Sequence, residues 1–212
     1  MQSVTNGAAF VQEQIQAIRA FCAELDQKLP AYSYVPLTND AQRVLVMQSR
    51  LYNELRAGEV FGGWLATTPE MEVKHLLAEA CHEEFVHARL LTERIAGMGA
   101  EPLDYGPPPE QVALFHTMHR LEHTVERLAA FQLAGEIVAS HLIKRALESP
   151  KVPEWIKAPY RRILEDEDEH GSGPVALVSR YADSAEAQRL IRRSVRLGLE
   201  LRRHYFAALD AM

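Results

Sequence analysis

The chain has little cysteine. Its two, Cys22 and Cys81, are far apart in helical patterns. That excludes a disulfide framework and a CxxC zinc or rubredoxin site. It has no excess of positive charge. Lys and Arg number 23 against 29 Asp and Glu, for a net charge of −6. There is thus no overall basic field to draw nucleic acid or an anionic membrane. The pairs Arg161-Arg162, Arg192-Arg193 and Arg202-Arg203 are interleaved with acids and are expected on solvated helix faces. A local basic face is all they leave open for a tRNA substrate. The most apolar stretch, Leu128 to Ile143, contains Gln132 and Glu136 and is too short to span a bilayer. No basic start followed by an apolar run opens the chain, so a cytoplasmic location is expected. Strand-like alternation and low-complexity segments are also missing.

What remains is helix. At 212 residues, 47% of them hydrophobic and 25% charged, the chain fits one globular domain with a substantial core. A first helix is expected over Ala8 to Lys28, followed by a connector from Ala31 to Leu37. Thr38-Asn39-Asp40 offers capping side chains for a second helix reaching about Ala66. Thr68 then Pro69 predicts the cap of a third, ending at Gly97 or Gly99. The Gly- and Pro-rich stretch from Gly97 to Pro109 is the longest loop. A fourth helix is expected from Glu110 to Ser149, long enough to bend. A fifth carries Ile156 to His170, and Gly171-Ser172-Gly173-Pro174 interrupts the pattern before it resumes to Tyr181. Asp183 or Ser184 caps the last helix.

Two Glu-x-x-His steps stand out, Glu84-Phe85-Val86-His87 and Glu167-Asp168-Glu169-His170. Residues i and i+3 share a helix face, so each step offers a carboxylate and an imidazole to one point. A lone glutamate precedes each step at matching distance: Glu54 by 30 residues and Glu136 by 31. Counted along the predicted helical hairpins, all four glutamates fall at one level, about 20 Å from the turns. Each interrupts a mostly apolar face, where an uncompensated carboxylate costs several kcal/mol. Metal ions answer that cost for all four. Carboxylate oxygen with one imidazole per metal suits iron or manganese. The expected assignment gives one metal Glu54, Glu84 and His87 and the other Glu136, Glu167 and His170, with Glu84 and Glu167 bridging.

Each histidine needs an acceptor to fix its ring, and Asp166 and Glu83 are the candidates. Glu59, in Ala57-Gly58-Glu59-Val60, competes with Glu54 because it echoes Ala134-Gly135-Glu136-Ile137, but it lies about 7 Å nearer the turn. Lesser candidates are a partly exposed stripe of His116, His119 and His123, Cys81 as a pocket-lining thiol, and Tyr160 as a donor or radical site.

The set Glu54, Glu84-x-x-His87, Glu136 and Asp166-Glu167-x-x-His170-Gly171 resembles the ferritin-like di-iron carboxylate superfamily, over about residues 38 to 180. The resemblance implies an all-α fold: a four-helix bundle, here with an extra N-terminal and a C-terminal helix, whose metals react with oxygen or peroxide. Rubrerythrins usually add a glutamate one turn after the third ligand, where this chain has Ala139. Ferritin ferroxidase centres generally carry one histidine, and bacterioferritins are shorter. The balanced set is similar to that of ribonucleotide reductase small subunits, bacterial di-iron hydroxylases and di-iron tRNA hydroxylases. The resemblance thus implies two Fe ions, with Mn or mixed Mn/Fe as alternatives, O2 and a small-molecule substrate, and an external electron donor. Two other readings are iron or peroxide handling without an organic substrate, and a helical interaction protein. Helices outside the core are where a homodimer contact would form.

Overall fold

The computed structural model describes residues 6–29, 37–170 and 172–212, except for the side chains of 167–170 and 172. The described residues are helical and contain no strand, so the fold is all-α. Most of the expected connector, 31–36, lies outside them, as does Gly171 in the expected interruption.

The first helix, α1 (Gly7–Lys28), starts where Asn6 Oδ1 accepts from the Ala8 and Ala9 amides at 3.0 and 3.4 Å. It buries a stripe of Phe10, Ile15, Ile18, Phe21, Cys22 and Leu25. The second, α2 (Asp40–Thr67), is capped by Asn39, whose Oδ1 accepts from Ala41 N at 2.8 Å. The third, α3 (Met71–Gly97), corrects one expectation: its N-cap is Glu70, and Thr68 instead ends α2. Buried Thr68 is taken by Arg127, whose Nη1 donates to its hydroxyl at 2.9 Å. Helices α2 and α3 run antiparallel. Glu54 meets His87 at one level, Gly58 faces the Phe85 ring, and Gly62 faces Cys81.

The expected long fourth helix is broken. It comprises α4 (Pro109–His119), a short α5 (Thr124–Arg127), a π-helical segment (Leu128–Leu133) and α6 (Ala134–Glu148). Within the π turn the Ala134 N–H bonds to Ala129 O and Phe131 O. Ala130 O therefore loses its α-helical donor. Then come α7 (Glu154–His170), with Pro159 inside it, α8 (Ser172–Tyr181) and α9 (Ala185–Asp210). Ser184 caps α9, its hydroxyl accepting from Ala187 N at 3.1 Å.

The chain packs around one core. Met47, Leu51, Phe61 and Trp64 of α2 meet Leu77, Leu91 and Ile95 of α3, and Phe131 of the π segment stacks edge-on against Phe61 and Trp64. Helix α9 lies against α4 and the π segment, and α1 against α6, α8 and α9. Among the described residues, no helix is long and apolar enough to cross a membrane.

Candidate metal centre

Helices α2 and α3 bring Glu54, Glu84 and His87 together. One ligand atom from each lies within 4.8 Å of the others. Glu54 and His87 are buried and Glu84 is half-buried. His87 Nδ1 lies 3.6 Å from Glu54 Oε2, and its Nε2 lies 3.5 Å from Asp166 Oδ2 on α7. Asp166 is held in turn by Arg162, whose Nη2 is 2.8 Å from Oδ1. The ring thus faces a carboxylate on each side; a metal at the cluster would take the place of the Nδ1 proton, while Asp166 would keep the one on Nε2.

Glu54 also faces Arg50, one turn earlier, with Nη2 at 3.3 Å from Oε1. Burial alone would push this carboxyl up. Bonding to His87, the Arg50 charge and a bond to Glu84 outweigh it and hold the carboxyl down, at about 2. Helix α2 is fixed at this level by a buried network. Ser49 Oγ and Tyr205 OH are 2.6 Å apart, Asn53 Nδ2 donates to the same phenol at 3.3 Å, and Gln111 donates to Ser49 O and Asn53 Oδ1.

Glu136 comes from α6. With Glu84 it lines two cavities. The smaller, about 60 Å³, also holds Glu54, Arg50, Asn53, Tyr205 and Arg202. The larger, about 350 Å³, lies between α1, α3, α6 and α8 and reaches His87. Glu167 and His170 lie in the last turn of α7, and their side chains fall outside the described residues. The backbone of that turn sits beside α3, since Asp166 reaches His87. Glu83, the other candidate acceptor, lines the larger cavity, and the His170 side chain is among those not described. Glu59 is exposed and paired with Arg56, away from the cluster.

Arg202 was expected on a solvated face, and the structure corrects that: it is 7% exposed. Its Nη1 donates to Gly198 O at 3.0 Å and to Ala130 O at 3.2 Å, the carbonyl freed by the π turn. A Cβ on Gly135 would lie 2.6 Å from its Nη2, and one on Gly198 would lie 2.8 Å from Ala130 O. Two glycines therefore clear the space this guanidinium fills. Burial lowers its pKa to about 10, and the charge of Glu136 opposes that. Arg50 carried a sequence signal, the i,i+4 spacing to Glu54; Arg202 carried none.

The lesser candidates separate. His116, His119 and His123 are exposed. Cys81 Sγ donates to Gly58 O at 3.3 Å; Cys22, not Cys81, lines the larger cavity, and burial pushes its thiol up to about 11. Tyr160 is buried in the core.

The donor chemistry fits a divalent metal. Two carboxylates and an imidazole converge within ligand range, with an acceptor behind the ring. No family model matches the chain, and no curated protein matches it in sequence.

Proposed function

We propose that the chain is a dinuclear metal oxidoreductase, a ferritin-like four-helix bundle that uses O2 to hydroxylate or oxidise an organic substrate. The observation that carries this reading is the convergence of Glu54, Glu84 and His87 in a partly buried site. Glu136 beside Glu84 and the last turn of α7 beside His87 extend it to two metals. Glu54, Glu84 and His87 would hold one ion, and Glu136, Glu167 and His170 the other.

Two bound iron ions would supply electron transfer to oxygen, at the expense of an external donor. The protein's own part is positional. Asp166 fixes the His87 ring, Arg50 fixes Glu54, and the Ser49–Tyr205–Gln111 network holds α2 in register. Phe131, Leu114 and Phe206 give the small cavity an apolar wall, while the large one leaves room for a substrate.

The test is metal content and oxygen uptake with reductant in Glu84→Ala and His87→Ala. Both variants are expected to lose most of the metal and the oxygen uptake while keeping a helical circular dichroism spectrum. Full metal retention in both would sink the ligand assignment.

A further inference from the structure

The smaller cavity holds a buried charge that the metal reading does not use. Arg202 on α9 lines it and is 7% exposed. Its Nη1 is satisfied twice, by the carbonyls of Ala130 and Gly198. Its Nη2 lies over Gly135, another residue of the cavity wall, so close that a Cβ there would be 2.6 Å away. Among the described residues Nη2 makes no hydrogen bond, and no carboxylate forms an ion pair with the guanidinium. Glu136 reaches it only through its charge. A buried guanidinium is ordinarily held by a carboxylate, because a charge taken out of water without a partner costs free energy. This one presents an unpartnered edge to a cavity instead.

The size and charge of the cavity say what could meet that edge. Its volume is about 60 Å³. That is room for roughly two waters, or for one ion of the same bulk. Glu54, Glu84 and Glu136 line it, and so does Arg50, which is paired with Glu54. In the metal-free chain the three carboxylates would repel an anion. Two divalent ions held by Glu54, Glu84, Glu136 and Glu167 would neutralise the four carboxylates. The Arg50 and Arg202 guanidiniums would then be left as surplus positive charge. Water can accept from Nη2 but cannot balance that charge, whereas a small oxyanion does both.

We infer that the smaller cavity is a binding site for a small monovalent oxyanion, of the size of formate, with Arg202 Nη2 as its donor. This rests on the reading of the carboxylates as a dinuclear metal centre. It deepens that reading by adding an ionic partner that the chain does not itself supply. Gly135, Gly198 and the π turn then share one consequence. They seat Arg202 with one terminal nitrogen engaged by carbonyls and the other left for the cavity.

The experiment is anaerobic calorimetric titration of the ferrous-loaded protein with sodium formate, in a buffer whose only other anion is a bulky sulfonate. Formamide, the neutral counterpart, and benzoate, too large for the cavity, are titrated in parallel. Formate is expected to bind with a dissociation constant in the millimolar range, which is what so few heavy atoms can supply. Formamide and benzoate should bind at least about tenfold more weakly. Arg202→Lys keeps the charge but loses the fork of donors, and Arg202→Gln keeps a donor but loses the charge. Each should weaken formate about tenfold with metal content unchanged. Circular dichroism shows whether each variant is folded, and the comparison of formate with formamide and benzoate needs neither. No formate binding to the loaded protein, an analogue binding as tightly as formate, or unchanged formate affinity in a folded Arg202 variant would overturn the inference. Elemental analysis of the same samples separates the two claims. Two metals per chain without formate binding removes only the anion site. Formate binding that depends on Arg202, with fewer than two metals, removes only the dinuclear reading.

Discussion

Replacing Glu54 by alanine leaves Arg50 and His87 facing each other in a buried site without the carboxylate between them. Removing one partner of a buried ion pair costs about 3–5 kcal/mol, because the remaining charge stays desolvated. In a chain of this size each kcal/mol shifts the melting temperature by about 2–4 °C. The metal-free variant should therefore melt roughly 10 °C below metal-free wild type. It should also fail to take up its full metal complement on anaerobic ferrous loading. Glu59→Ala is the control. That carboxylate sits on the surface against Arg56, and such pairs contribute little. Its melting temperature should stay within about 2 °C of wild type, with metal uptake unchanged. Calorimetry on chelator-treated protein and elemental analysis after reloading give both quantities. The reasoning is refuted if the two variants melt alike, or if Glu59→Ala is the one that loses metal.

Two further outcomes follow from the same geometry. Gly135→Ala should destabilise by about 1–3 kcal/mol, since its Cβ would meet Arg202 Nη2 at 2.6 Å and that guanidinium is held by two carbonyls. Thermal unfolding checks this, and a variant as stable as wild type would mean the guanidinium can move aside. In the metal-free protein, Glu54 titrates at about 2, below its ordinary value of 4.5. A depressed carboxyl contributes stability that is whole above about pH 5 and lost as pH falls toward 2. Urea midpoints at pH 5, 4 and 3 should fall in wild type and fall less in Glu54→Gln; parallel slopes would contradict the assignment.

The helices that bring Glu54, Glu84 and His87 together were legible because their signals are local. Glu84 and His87 share a face by spacing, and the apolar stripe around Glu54 points it inward, so two of the helices that meet at the site could be placed by periodicity. Asn39 and Ser184 announced helix starts through their capping side chains. Thr68 misled because a Thr-Pro pair also suits a helix end, and its hydroxyl was claimed by Arg127, distant in sequence. The π turn at Leu128–Leu133 was not legible, since nothing in Leu-Ala-Ala-Phe-Gln-Leu differs from an α-helical sequence. It is matched by Arg202, whose partner carbonyl exists only once the turn has formed. Arg202 beside Arg203 reads as a solvated pair. Only the tertiary packing splits them, one into the core and the other to Glu24.

The central claim is that this chain holds two metal ions between its carboxylates. Elemental analysis of protein produced with iron and manganese available tests it most directly. The account predicts close to two iron or manganese atoms per chain. Little or no metal, even after anaerobic ferrous loading, would contradict it and leave Glu54, Glu84 and His87 as a buried ion-pair network with a structural role.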